Sequence, residues 1–478
     1  VARHVADNVS DAERHLVRAR GASTASAKSA NDAFAAFDAG GKSQGEAAWT
    51  FARQRSGEAR DAYATAARTL EAAFLLDTGR DDVRRQLAEV TLERLELAER
   101  EHRIGDRDEL QSRLGLYDPT GEFATRRVRP GRVVTAITPA SAQVSISPMT
   151  IINRAVATTP VARLDALAPG LYLVVAEAQG HATVRLPIVV KPGEEHRVEL
   201  TLPAASAVPP GFAYIPVGPL LSGSRDDEFM RTFFDAPPMH ERRTGAFMIA
   251  QTEVTYAQWF EFLADQTGDA RVRHTPKITS STTVQTGGEL ELRSDAQGWE
   301  LQITPAGITY TARAGTPVVY RARAQRKSQD WRQFPVSGIT SDDAEAYAMW
   351  LAKTGRVKGA RLCSELEWER AARGPDGRPY PNGDRLAPDD ANFDETYDRK
   401  DGGFGPDAAG SHEASDSPFG LHDMSGNVWE ILRSPSGVVM RGGGFYTGSI
   451  TAHLANRQEI TPAFKHLHVG TRICAGPP

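Results

Sequence analysis

The sequence predicts a multidomain chain: an α-helical bundle, a small all-β sandwich, and a C-terminal domain of mixed α and β elements. Three observations predict it. Residues 1 to about 115 are rich in Ala, Arg and Glu and repeat apolar residues at helical spacing. Composition shifts near Asp118-Pro-Thr-Gly-Glu122, and from Arg126 to Pro203 apolar and polar residues alternate as in strands. Residues 203–210 then read as a short stiff linker to residues 211–478.

The helical stripe is carried by Trp49, Phe51, Ala52, Ala59, Tyr63, Ala66, Ala67, Leu70 and Phe74. Asp77-Thr-Gly-Arg-Asp-Asp82 reads as a helix stop followed by a new start. Val83, Leu87, Val90, Leu95 and Ala98 continue the stripe. Residues 1–118 are therefore read as an antiparallel bundle or a degenerate helical repeat without a clean period. Its charged face is read as solvated surface.

In the β region (126–203), Arg132-Val-Val-Thr-Ala-Ile137 and Gln143-Val-Ser-Ile-Ser147 alternate. Leu167-Ala-Pro-Gly-Leu-Tyr172 sets a Pro-Gly turn before a strand, and Ile188-Val-Val190 and Val198-Glu-Leu-Thr-Leu202 follow. No residue here suggests chemistry, so a spacer or docking module is the reading.

In the third domain, a helix is read over 257–265. Pro335 to Ala344 enters a second helix through a Ser/Asp cap. Between them, residues 266–333 read as a β-rich insertion, with strand-like Thr282-Thr-Val284, Leu290-Glu-Leu292, Glu300 to Thr304 and Val318-Val-Tyr320. Inserted surface loops are thermodynamically cheap and often carry binding function.

Bulk properties narrow the function classes. The chain has 478 residues, 40% hydrophobic and 24% charged, with a net charge of −5. It carries no global basic footprint, so nucleic acid is not an expected partner. No apolar run approaches a membrane span, and no signal peptide is visible. The chain starts at Val1 rather than Met and is read as a fragment or processed product, with room upstream for a targeting or membrane segment. Two cysteines, Cys363 and Cys474, exclude a disulfide-dense scaffold and a Cys-rich zinc site. One bridge between them stays open. The reading adopted is two small buried hydrophobes, which leaves the redox compartment undetermined. No Gly-rich phosphate loop, nucleophile elbow or kinase signature occurs.

Asp423-Met-Ser-Gly-Asn-Val-Trp-Glu430, Arg441-Gly-Gly-Gly-Phe445 and Gly470-Thr-Arg-Ile473 stand out in the C-terminal domain. With Gly223 to Glu228 and Arg361 to Gly374, they resemble, in order, blocks of the formylglycine-generating-enzyme (FGE) or sulfatase-modifying-factor family. The resemblance covers residues 211–478 and implies a variant of the C-type-lectin fold. Cys363 departs from the family, which usually has Pro there. Active members carry two cysteines after the Arg-Gly-Gly turn, which bind copper and oxidise a substrate cysteine. The matching positions here are Thr447 and Ala452. A thiolate is the ligand and nucleophile that this chemistry requires, so no catalytic residue and no copper are expected.

The resemblance also implies structural Ca²⁺. One site would take the Asp423 side chain, the carbonyls of Gly426 and Val428, and Glu430. A second would take Asn392, the carbonyl of Phe393, and Asp401 with carbonyls near Gly403, in a loop with one extra glycine. Hard oxygen donors on tight loops suit Ca²⁺. Related iron enzymes use a histidine cluster. Here His240, His274, His412, His422 and His453 are scattered, and His466-Leu-His468 is the one local pair. In this fold the stretch after the turn lines the substrate groove. Phe445, Tyr446, Thr447, His453, Asn456 and Arg457 are the candidate contacts for a protein or peptide ligand.

Pro169-Gly-Leu-Tyr172 and Gly180-His181 resemble PEGA-type modules. The whole arrangement resembles the region after the kinase domain of bacterial receptor-like Ser/Thr kinases. It implies a non-catalytic sensor, extracytoplasmic if that reading holds and cytoplasmic otherwise, with a kinase and membrane helix upstream. Two alternatives stay open: a lectin-fold display or conflict-system protein binding a partner protein, and a residual metal-dependent oxidase.

Overall fold

The computed structural model describes residues 1–149, 151–152, 155–156, 159–279 and 288–478. Helices α1 (Ala2–Asp38) and α2 (Lys42–Leu76) form a long antiparallel hairpin. Ala12, Ala19, Ala33, Ala52, Ala59, Ala66 and Ala73 are buried along their seam, so the two backbones can approach closely. Gly40, at φ +80°, makes the left-handed turn at the tip. Helix α3 (Asp81–Arg100) starts on Asp81 and Asp82, which complement its positive N-terminal dipole end. It packs Val83, Leu87 and Val90 against the hairpin. Helices α4 (Ile104–Tyr117) and α5 (Glu122–Val128) complete the bundle, which therefore runs past residue 118.

The next unit has, among the described residues, two small sheets that face each other and a short pair, Ile151–Ile152 with Ala155–Val156. Strands Arg132–Thr138 and Glu195–Thr201 pair in parallel, and Gln143–Pro148, Gly170–Glu177 and Val184–Val190 form an antiparallel sheet. The faces meet across Val133, Ile146, Tyr172, Val174, Ile188 and Val198.

The C-terminal domain is built on two four-stranded sheets. One has the order Ala360–Leu362, Ile473–Ala475, Phe247–Ala250, Phe212–Ile215. The other has the order Arg457–Ile460, Gly437–Arg441, Trp429–Ser434, Val469–Thr471. Three helices, Tyr256–Ala264, Ser341–Lys353 and Glu365–Arg373, each begin with a reciprocal capping box: Thr255 with Gln258, Thr340 with Asp343, Ser364 with Glu367. The insertion contributes a sheet of Lys277–Ile278, Leu290–Asp295, Gly298–Ile303 and Tyr310–Arg313. Its Leu290, Leu301, Ile303 and Tyr310 enter the same core as Trp259, Trp331 and Trp429, so it is part of the domain body. The expected strand at Thr282-Thr-Val284 lies outside the described residues.

The cysteines correct the sequence reading. They are buried, as small hydrophobes would be, but they are joined as a disulfide, with Cα atoms 4.8 Å apart. Strand pairing explains it: Arg361 lies opposite Cys474 and Leu362 opposite Ile473, which brings the next residue, Cys363, beside Cys474. Spacing along 111 residues of chain carries no trace of that pairing.

The hairpin tip rests on the C-terminal domain. Arg231, 4% exposed, donates to Glu46 at 2.7 and 2.8 Å, and the Trp49 indole donates to Glu228 at 2.8 Å. Asp38 pairs with Arg242 at 2.8 Å and meets His240 Nε2 at 3.0 Å, while Phe34 stacks on the His240 ring. Among the described residues, no helix is long and apolar enough to cross a membrane.

Candidate functional site

The turn after Arg441 is where the family chemistry would sit. Arg441 is buried; its Nε and Nη2 donate to Glu365 Oε1 at 2.9 and 2.6 Å, and its Nη1 donates to the Leu454 carbonyl at 2.6 Å. At Gly443 (φ +72°) a Cβ would meet Ala452 Cα at 2.7 Å, so this crossing requires glycine. Ala452 is wholly buried. The Thr447 hydroxyl closes its own turn, donating to the Gly444 carbonyl at 3.0 Å and accepting from the Gly444 N–H at 3.1 Å. Neither position holds a thiol, and both cysteines of the chain are in the disulfide, so no thiolate can form while it is intact.

The expected ligand contacts divide into two groups. Tyr446 and Thr447 are half-buried at the surface, Tyr446 leaning on Phe404. Phe445, His453, Asn456 and Arg457 instead face inward, because the chain turns back into the core. Phe445 is 2% exposed. The His453 ring stacks on Phe234 at 4.5 Å, and its Nδ1 accepts from the Ala455 N–H at 3.0 Å. Burial, with Arg373 next, pushes its pKa down to about 3. Asn456 donates to the Thr451 carbonyl at 2.8 Å. Arg457 donates to Glu365 at 2.7 Å and to Asp235 at 2.8 Å.

The first expected calcium loop shows a different donor set. Glu430 is taken up by the protein: Arg472 donates to it at 2.8 Å and the Trp368 indole at 2.8 Å. Asp423 accepts from the Gly410 N–H through Oδ2 at 2.5 Å, but its buried Oδ1 has no partner. Glu253 is 0% exposed, and neither of its carboxylate oxygens has a partner. Burial first, then Asp423, push its carboxyl well above the usual range. The Thr471 hydroxyl is also buried and unpartnered. These buried oxygens without partners, on Asp423, Glu253 and Thr471, are hard donors of the type that Ca²⁺ takes. Gly426, at φ +85°, belongs to the same loop; a Cβ there would meet the Asn392 carbonyl oxygen at 2.6 Å. Val428 is fully buried beside it. Sequence reading missed Glu253. Its one signal is an acid placed between an apolar strand and a helix start, in Phe247 to Thr255.

In the second expected loop the backbone donors are already taken up by the protein. Asp401 is exposed. The Phe393 carbonyl accepts from the Thr396 N–H at 3.1 Å. The Asn392 amide NH2 donates to the Gly405 carbonyl at 3.0 Å while its Oδ1 is buried without a partner, and the Gly403 carbonyl accepts from Arg323 at 2.6 Å.

The histidines are dispersed in the fold as in the sequence. His412 meets Asp407 at 2.8 Å, His422 meets Asp416 at 2.6 Å, and His274 meets Asp343 at 2.8 Å. The His466 and His468 rings lie 4.1 Å apart. Among the described residues, no three His, Cys, Asp or Glu side chains are grouped to hold a metal ion. A cavity of about 340 Å³ lies between the hairpin tip and the domain, lined by Phe37, Lys42, Asp235, Glu365 and Arg457 among others.

Comparison with known proteins places this geometry. The "Inactive C-alpha-formylglycine-generating enzyme 2" of Bos taurus is 35% identical over 107 residues, 21% of this chain. That match spans 33% of the bovine protein, so the chain covers about a third of its length. The "Formylglycine-generating enzyme" of Mycobacterium tuberculosis is 30% identical over 222 residues, 42% of this chain and 67% of that protein. The "Serine/threonine-protein kinase Pkn1" of Chlamydia trachomatis is 35% identical over 116 residues, 23% of this chain and 16% of the kinase. Among solved structures, PvdO from Pseudomonas aeruginosa is similar over 55% of this chain and 94% of its own, at 20% identity and a TM-score of 0.38. The sulfatase-modifying factor enzyme 1-like domain matches residues 199–476 in one stretch. With more than half of its length matched, the chain belongs to this FGE-sulfatase family.

Proposed function

We propose that this chain is a non-catalytic FGE-like region that binds a protein or peptide ligand within a bacterial multidomain signalling protein. One observation carries the reading. The two positions where the oxidase chemistry needs thiolates hold a hydroxyl engaged in its own turn and a buried methyl, and both cysteines of the chain are tied in a disulfide elsewhere. Two relatives support it: a bovine protein described as inactive, and a chlamydial Ser/Thr kinase. The ligand would meet the half-exposed stretch from Tyr446 to Ile450, the outward part of the expected groove. Ca²⁺ held by Asp423 and Glu253 would stiffen the loop beneath that stretch and take no part in a reaction. A buried disulfide suits an oxidising compartment, which supports an extracytoplasmic position.

The test is metal analysis by plasma mass spectrometry, joined to oxygen consumption with a cysteine-bearing peptide. Calcium without copper or iron, and no oxygen uptake, is the expected result. Stoichiometric copper with peptide-dependent oxygen uptake would overturn the proposal and restore the oxidase reading.

A further inference from the structure

The loop from Asn392 to Asp407 is built around a cation that is already part of the chain. Arg323, at the end of the insertion, has a side chain with 0% exposure. Its Nε donates to the Gly403 carbonyl at 2.6 Å and its Nη2 to the Gly405 carbonyl at 2.7 Å. Its Nη1 donates to Asp407 Oδ1 at 2.5 Å. The guanidinium lies 3.4 Å from the Tyr320 ring centroid and 3.9 Å from that of Tyr397. Two carbonyls and one carboxylate thus converge on a planar cation clasped between two aromatic faces.

The outer groups hold this arrangement in place. The Tyr397 hydroxyl donates to Asp407 Oδ2 at 2.6 Å, and His412 Nε2 meets the same oxygen at 2.8 Å. The Gln329 amide donates to Oδ1 at 2.7 Å, and the Tyr320 hydroxyl donates to the Pro406 carbonyl at 2.6 Å. Gly405 lets the loop come this close: at φ +144°, a Cβ there would meet Tyr320 Cε1 at 2.4 Å. Of the donors a divalent ion would need, the Gly403 carbonyl is turned onto the guanidinium and the Phe393 carbonyl onto the Thr396 N–H, Asp401 is exposed, and Asn392 Oδ1 alone is buried without a partner.

We propose that Arg323 is the resident cation of the 392–407 loop, so that this loop takes no divalent metal and the insertion is keyed into the domain through it. The loop that carries Asn392 and Phe393 is then ordered by a side chain at any calcium concentration. Any calcium response of the chain comes from the separate Glu253 and Asp423 pair.

The experiment titrates Ca²⁺ alone into the whole chain by calorimetry, using wild type and Asp423→Asn, and adds thermal melts of Arg323→Ala. Asp423→Asn is expected to show no calcium isotherm, and wild type at most one ion per chain. A stoichiometric isotherm that survives in Asp423→Asn would overturn the proposal. A wild type that binds none would sink the Glu253 and Asp423 reading and leave this one standing. Arg323→Ala is expected to lower Tm by on the order of 10 °C, and dilute guanidinium ion is expected to restore part of the loss. An unchanged Tm would overturn the proposal. If Arg323→Ala fails to fold, the titrations decide.

Discussion

Replacing Glu365 with glutamine should uncouple the turn at 441–457 from the helix beneath it. Its carboxylate accepts from Arg441 and Arg457 at once, at 2.6 and 2.7 Å, and its side chain is 14% exposed. Burial opposes the charged form, yet the two guanidiniums outweigh it and hold the carboxyl down to about 2 from an ordinary 4.5. At 1.36 kcal/mol for each tenfold change in proton affinity, that gap is worth about 3 kcal/mol, and about 2 kcal/mol once residual solvent contact is discounted. The folded pKa lies below the unfolded one. The stabilisation is therefore complete above about 4.5 and drains away as pH falls towards about 2. Glu365→Gln should lose about 2 kcal/mol at pH 7 and flatten the acid limb between those values. Urea unfolding followed by tryptophan fluorescence reads this directly. Trp368 sits on the same helix, and Trp259, Trp331 and Trp429 are buried in the same domain. A loss below about 0.5 kcal/mol, or an acid limb as steep as wild type, would refute the claim that this pair of ion bridges anchors the turn.

Three further outcomes follow from the same packing. With chelator present, Glu253→Gln should be as stable as wild type or more so, because an unpartnered buried carboxylate is costly; added Ca²⁺ should raise the Tm of wild type and leave that of the variant unmoved. Reduction of the disulfide, or Cys363→Ser, should cost about 2–5 kcal/mol, given the long loop it closes; a melting curve unchanged by reductant would contradict it. Asp235→Asn removes a carboxylate that pairs with Lys42 on the hairpin and with Arg457 behind the turn. Amide exchange should quicken at both the hairpin tip and residues 446–457; a change at one end alone would show that the two are not linked there.

Much of the fold was legible because it is local. Helical spacing marked α2 and α3, and the cap expected from Ser and Asp before Ala344 is there, with Thr340 rather than a serine as the N-cap partner of Asp343. The block from Asp423 to Glu430 marked the strand and loop at the heart of the family. What escaped was long-range. The disulfide depends on strands that meet only after folding. Arg323 reads in the sequence as one of three arginines in Arg321-Ala-Arg-Ala-Gln-Arg326; the fold alone selects it. Four of the six expected groove residues turn inward for a related reason. Side chains of Asn, Arg and His signal recognition when exposed, and serve as internal struts when the turn folds them inward. Composition cannot separate the two.

That inward turn bears on how a ligand could act here. Arg441, Arg457, Asn456 and His453 are all committed to partners inside the domain. The outward stretch near Tyr446 is therefore short and rests on a stiff support. Behind that support stands Arg457, which shares Asp235 with Lys42 of the hairpin, while Phe234 packs on His453. A ligand that shifts the turn must strain Arg457 or His453, and either strain reaches the segment on which the hairpin tip is seated.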